Sequence, residues 1–264
     1  MKIEVIGCGS AFSKVNNTSS LLVEDNSGKQ WLIDCGPTVP RALFNRDMAV
    51  NDIQVIYFTH IHPDHCTGLS ALVNYWKSFN RTEPVTIFCQ PEQLAPLKFL
   101  AEFANWPSND LCFDIDWQMI SDHFSWQEWQ IATANTQHEV SNKAIQISVD
   151  GHRLFYSGDG RPTAASINLM KHADLSFQEC ASFISLDDSS SHGDFSSCLA
   201  LLEQTATRYL GLYHCWDESL SEIIKSTTGI ESLFVSRDGL FIDLSDIARC
   251  LKPSSTGENP AVTA

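Results

Sequence analysis

Apolar residues in this chain follow two rhythms. Tight runs rich in β-branched and aromatic residues, closed by glycine, proline or aspartate, predict strands at 3–6 (Ile-Glu-Val-Ile), 19–24 (SSLLVE), 30–34 (QWLID), 52–58 and 85–89 (VTIFC). Apolar positions at helical spacing predict helices over 37–47, 66–79, 91–104, 163–171, 194–206 and 218–225. Residues 144–149 (AIQISV) and 153–157 (RLFYS) read as a hairpin through Asp150-Gly151, a pair suited to a two-residue turn. ADLSFQECASF predicts a strand ending at Glu179 and RYLGLYHCW one ending at His214, with one or two edge strands before about residue 249. Strands followed by helices recur in both halves with no linker between them, so 1–252 reads as one domain. The stretch from Pro253 to Ala264 is small and polar, and is expected to be a disordered tail.

A hydrophobic fraction of 43% over 264 residues is ample for a core. No apolar run reaches membrane-spanning length, and MKIEVIGCGSAF reads as a strand rather than a signal peptide. Nine scattered cysteines without a C-x-x-C pair suggest reduced thiols and a cytoplasmic setting. Seventeen basic against thirty-two acidic side chains give −15, a poor balance for gripping structured nucleic acid. Between Lys98 and Lys143 lie seven acidic residues, no basic one, and Trp106, Trp117, Trp126 and Trp129. These aromatics read as strand residues packed between sheet and helix. The alternative is an apolar wall or dimer surface at the mouth of a site.

The chemistry concentrates at Thr59-His60-Ile61-His62-Pro63-Asp64-His65, where the apolar strand Val55–Phe58 stops. Three imidazoles and a carboxylate crowded on a strand end need compensation, and a divalent metal supplies it. His60 and His62 alternate around Ile61, so in an extended segment they point to one side. Further candidates follow: His138 after the strand-like WQIATA, Asp159 flanked by Gly158 and Gly160, Glu179, His192 before a helix, and His214. Asp34, ending LID, either orients a metal ligand or caps a turn. Gly7-Cys8-Gly9-Ser10 reads as a plain turn that could bring backbone N–H groups near the site.

H-x-H-x-D-H, joined in order by His138, Asp159 and His214, resembles the metallo-β-lactamase superfamily. The order strand–Glu179–loop–His192–helix–strand–His214, with GCGSAF…NNTSSLLV and YSGDGRP, is similar to its ribonuclease Z-like phosphodiesterase branch. The resemblance implies an α/β fold, an αββα four-layer sandwich with two facing mixed sheets and helices outside. It implies two divalent ions, the first on His60, His62 and His138, the second on Asp64, His65 and His214, with Asp159 bridging. His62 stands where flavodiiron relatives carry glutamate, so zinc is expected ahead of manganese or iron. The implied chemistry is hydrolysis by a hydroxide held between the ions, with Asp64 holding its proton and Glu179 and His192 protonating the leaving group. The branch also implies a homodimer.

Two departures bear on substrate. The family's His-Glu-Ala-Thr run reads Gln178-Glu179-Cys180-Ala181 here, and its His-Ser-Thr reads His192-Gly193-Asp194. The ribonuclease's tRNA-gripping arm falls between the third histidine and the bridging aspartate, where this chain has only a tight hairpin. The expectation is therefore a phosphodiesterase on a small phosphodiester. The alternatives are an acyl hydrolase (lactonase or thioesterase) on the same metals, a tRNA 3′-processing endonuclease, or a non-catalytic metal-binding protein. Arg161 binds one substrate phosphate or forms a surface ion pair.

Overall fold

The structure, a computed structural model, describes residues 1–108 and 110–251; the predicted tail lies outside the described residues. Its strands are β1 (Lys2–Gly7), β2 (Ser20–Glu24), β3 (Gln30–Ile33), β4 (Ile53–Tyr57), β5 (Val85–Cys89), β6 (Ile115–Met119), β7 (His123–Trp126), β8 (Trp129–Asn135), β9 (Lys143–Val149), β10 (His152–Tyr156), β11 (Leu175–Glu179), β12 (Leu210–Tyr213), β13 (Leu233–Val235) and β14 (Phe241–Asp243). Its helices are α1 (Val39–Phe44), α2 (Pro63–Cys66), α3 (Leu69–Ser78), α4 (Leu94–Phe103), α5 (Ala164–Met170), α6 (Phe195–Thr205), α7 (Asp217–Thr227) and α8 (Ile247–Cys250).

Two seven-stranded mixed sheets result, ordered β14-β1-β2-β3-β4-β5-β6 and β13-β12-β11-β10-β9-β8-β7. In each, neighbours are antiparallel at one side and parallel at the other, so the recurrence seen in the sequence is a recurrence of topology. Burial separates the layers. One apolar cluster joins Val5, Trp31 and Tyr57 of the first sheet to Trp129, Ile145 and Tyr213 of the second. A second lies between the first sheet and α1, α3 and α4, and a third between the second sheet and α5, α6 and α7. Helix, sheet, sheet, helix is the metallo-β-lactamase sandwich.

Three of the four tryptophans in the aromatic segment pack into the fold. Trp129 is fully buried, stacks on Trp31 at 5.0 Å and 6°, and donates through Nε1 to Asp25 Oδ2 at 2.8 Å. Trp126 meets Trp31 edge-on at 5.8 Å, and Trp117 packs against the helix side of the first sheet. Trp106 is exposed. This is the packing reading rather than a wall at the site.

The helix expected over 66–79 is α3, starting three residues later, with the separate short α2 before it. α2 ends at Cys66 and α3 begins at Leu69, because the chain after β3 passes through the junction. Gly36 and Gly68 make that passage feasible: a Cβ on Gly36 would lie 1.8 Å from the Asp64 carbonyl oxygen, and one on Gly68 2.1 Å from that of Gly36. α1 is also shorter than its pattern suggested, confined to Val39–Phe44.

Candidate metal centre and active site

Apart from His62, which caps α2, the residues on α2 and the two loop histidines, the predicted site residues lie at or within three residues of the carboxyl end of a strand, where α/β sheets leave crevices for ligands. Thr59 and His60 follow β4, Asp34 follows β3, Asp159 follows β10, Glu179 ends β11 and His214 follows β12. α2 then lifts Asp64 and His65 to the same edge, while His138 and His192 arrive on loops. Left-handed backbone at Asp34 (φ 61°), Gly158 (φ 61°) and His214 (φ 57°) turns the chain sharply at three of these ends. At Gly158 only glycine fits, since a Cβ there would stand 2.3 Å from Asn142 Oδ1 and 2.8 Å from the Thr59 Cβ.

The structure brings His60, His62, His138 and Asp159 together, with one donor atom from each lying within 4.8 Å of the others. His60 Nε2 is 3.2 Å and His138 Nε2 3.0 Å from His62 Nδ1. The outward nitrogens decide the protonation. His138 Nδ1 donates to the Ser191 carbonyl at 2.9 Å, and His62 Nε2 lies 3.1 Å from the Glu139 carboxylate. His60 Nδ1 lies 3.0 Å from Thr59 Oγ1, whose proton is already committed to Asp34 at 2.9 Å. Each outer partner claims an N–H, so three lone pairs face one another across a shared point. Burial and the neighbouring His65 hold the His60 imidazolium well below its usual range, which keeps the ring neutral. Inward lone pairs at this spacing repel unless a cation sits between them.

Asp64, His65, Asp159 and His214 form the adjoining group. His65 Nε2 is 3.2 Å from both Asp64 Oδ2 and Asp159 Oδ1, and His214 Nε2 is 3.2 Å from Asp159 Oδ2 and 3.5 Å from Asp64 Oδ2. His65 Nδ1 bonds Asp34 Oδ2 at 2.9 Å, so Asp34 orients the His65 ring rather than only capping a turn. Burial opposes charge on His65, but Asp159 and Asp34 override it and drive its pKa well above the usual value. His65 Nε2, Asp159 Oδ1 and His214 Nδ1 are buried without a hydrogen-bond partner, a costly state that cations would relieve on the inward-facing atoms. Two imidazole-and-carboxylate groups sharing Asp159 thus fit a pair of divalent ions.

Glu179 and His192 stand beside them. His192 Nδ1 meets Glu179 Oε1 at 2.5 Å, and the ring of His192 is 5.8 Å from that of His214 and 5.3 Å from that of His138. Burial works against protonation of His192, yet the hydrogen bond and charge of Glu179 raise its pKa to about 9. Arg161 Nη1 lies 3.3 Å from both Asp194 Oδ2 and the His192 carbonyl, so it braces the His192 loop and takes the ion-pair role. The Gly7–Ser10 turn touches the site in an unexpected way. The Cys8 carbonyl accepts from His214 N at 2.8 Å, while the Cys8 N–H is taken by Asp238.

A cleft of about 640 Å³ opens over the metal-type ligands, lined among others by Phe12, Lys14, Glu139, Trp216 and Asp217. Sequence reasoning did not single these out. Glu139 directly follows His138, and Trp216 follows His214 by two, so adjacency to a ligand was the available signal. Phe12 carried none.

The family model described as anti-Pycsar protein Apyc1 matches residues 1–238. An anti-Pycsar protein Apyc1 from Bacillus phage BSP38 is 42% identical over 76 residues, 29% of this chain and 30% of that protein. A ribonuclease Z from Pseudomonas putida (strain F1) is 34% identical over 76 residues, 28% of this chain and 24% of its own length. The chain therefore covers less than a third of the length of these curated relatives. The crystal structure of the metallo-beta-lactamase fold protein YhfI from Bacillus subtilis matches with a TM-score of 0.78 at 19% identity, covering 91% of this chain and 98% of that one. At that identity the likeness is one of fold.

Proposed function

Since the chain belongs to the anti-Pycsar protein Apyc1 family and has the metallo-β-lactamase fold, we propose that it is a metal-dependent phosphodiesterase acting on a small phosphodiester of the cyclic-nucleotide kind. The observation that carries this reading is the Glu179–His192 pair, held beside both ligand groups, in which the hydrogen bond and charge of Glu179 favour a protonated imidazole against the effect of burial. Phosphodiesters expel alkoxides, which are poor leaving groups and need an acid; acyl substrates with good leaving groups need none.

In this reading His60, His62 and His138 hold one cation, Asp64, His65 and His214 the other, and Asp159 lies between. Two divalent ions there, zinc for this donor set, would supply Lewis acidity and lower the pKa of water. Asp64, at the floor of the cleft, takes the proton of the attacking water. Glu179 fixes His192 through Nδ1, which leaves Nε2 to deliver a proton to the departing oxygen. Thr59, Asp34, Ser191 and Glu139 hold the imidazoles in the tautomers that present a lone pair inward.

Size and charge favour a small substrate. β9 and β10 are joined through Asp150 and Gly151, both left-handed, so nothing projects between His138 and Asp159 to grip a nucleic acid. Among the described residues, Lys14 is the one Lys or Arg lining the cleft, against Glu139, Asp217 and Glu218, and the whole chain carries −15. A polyanion is repelled by such a rim, whereas a monoanionic diester pays little and gains the bound cations.

The test combines metal analysis with turnover of an activated diester, a diester with an alkyl leaving group and a lactone. We expect about two divalent ions per chain, and a loss of about 10²–10⁴-fold for His192→Ala on the alkyl diester with far less on the activated one. Asp64→Ala loses both activities. Turnover of the lactone alone, with His192→Ala silent, would sink the phosphodiester reading.

A further inference from the structure

Phe12 is 92% exposed, so its ring gains almost nothing from the fold, yet the loop that carries it is firmly braced. Ser13 Oγ donates to Asp217 Oδ1 at 2.7 Å and Lys14 N to Asp217 Oδ2 at 2.8 Å. The far end is tied by Asn17 N to Asp238 Oδ2 at 2.7 Å and by Gly9 N to the Asn17 carbonyl at 2.7 Å. Two carboxylates from distant parts of the chain thus hold a bare phenyl ring out into the cleft above Asp64, Asp159 and His214. Trp216, half-buried at the start of α7, lines the same cleft and touches the His192 ring edge-on at 5.9 Å. An exposed aromatic on slack chain would lose entropy on binding; one on a braced loop has lost it already.

We propose that Phe12 and Trp216 form a preorganised aromatic slot that stacks a planar heteroaromatic ring carried by the phosphodiester, with Asp217 as the residue that positions Phe12. This rests on the phosphodiesterase reading and deepens it, because it says which part of the substrate confers recognition. The site below offers carboxylates and imidazoles for cations and a proton for the leaving oxygen, groups that act on the phosphodiester itself. Ring faces are recognised by ring faces, with little dependence on hydrogen-bond pattern, so the slot predicts tolerance among bases and discrimination against diesters without a ring.

The experiment uses the metal-loaded protein and two probes, a nucleoside 3′,5′-cyclic phosphorothioate and the ringless cyclic phosphate of 1,3-propanediol. Binding is measured by calorimetry, and turnover of the corresponding oxygen diester separately. Phe12→Ala is expected to lower the preference for the ring-bearing probe by about tenfold to a hundredfold. Trp216→Leu and Asp217→Ala should move the same ratio in the same direction, and Asp217→Asn, which keeps one acceptor, should recover part of it. An unmoved ratio for Phe12→Ala overturns the slot, as does a variant that changes only the sedimentation of the protein, which would make Phe12 a contact between copies. Phe12-dependent ring binding without turnover of any diester would keep the slot and sink the phosphodiesterase reading. Turnover with an unmoved ratio would do the reverse.

Discussion

Glu179 lies between two histidines, 2.5 Å from His192 Nδ1 and 3.8 Å from His214 Nδ1, and is itself fully buried. Its charge determines in which direction His192 titrates. As an acid, His192 must be protonated, so activity on poor leaving groups is present below its pKa and lost as pH rises through it. That pKa is raised to about 9 here, and cations bound nearby would draw it down, which puts the basic limb at or below about 9. Glu179→Gln removes the charge that raises it. The limb then moves toward the ordinary imidazole value of about 6.5, and the pH dependence of kcat/KM on an alkyl diester reads the shift directly. A limb that stays in place would remove His192 from the acid role.

At the scale of elements, the strand ends deliver ligands and the α2–α3 break admits the chain that supports them. A Cβ on Gly36 would stand 1.8 Å from the Asp64 carbonyl oxygen, backbone that no side-chain rotation can move, and 2.3 Å from Thr18 Oγ1. Gly36→Ala must push α2 away from β3, and with it Asp64 and His65. The expected cost is about 1–3 kcal/mol, seen as a lower Tm together with reduced metal stoichiometry. A stability loss with full metal loading would show that α2 tolerates the displacement. The sequence marked 66–79 as one helix because its apolar spacing continues through the break. Nothing in that spacing reports a loop from thirty residues earlier crossing at Gly68.

For the whole molecule, the stack of Trp129 on Trp31 joins the two sheets at their inner faces, and Asp25 ties Trp129 Nε1 to the turn after β2. Trp129→Ala removes a fully buried ring from that seam and should cost about 3–5 kcal/mol, read as a lower denaturant midpoint. Trp129→Phe should cost less, since most of the apolar volume stays while Asp25 Oδ2 loses its donor. Equal losses from both would place the stability in the hydrogen bond instead of the packing. The same seam explains why Trp126 and Trp129 say little about a partner: much of their surface is spent holding sheet to sheet. Among the described residues no helix is long and apolar enough to cross a membrane.

The sequence by itself determined what is local. Apolar rhythm placed most strands and helices, the strand-end motif His60-x-His62-x-Asp64-His65 announced a cluster of metal-type ligands, and glycines flanking Asp159 marked a sharp turn. It also carried the order of ligands on which the fold resemblance rests. Tertiary structure decided what depends on distant segments meeting: Asp64 beside His214 across 150 positions, the outer partners that aim each imidazole, and the cleft that Phe12 and Trp216 both line. Periodicity in a short window encodes which face of an element is buried. Which element it is buried against, and which nitrogen of a ring is left facing inward, follow only once long-range packing has chosen the neighbours.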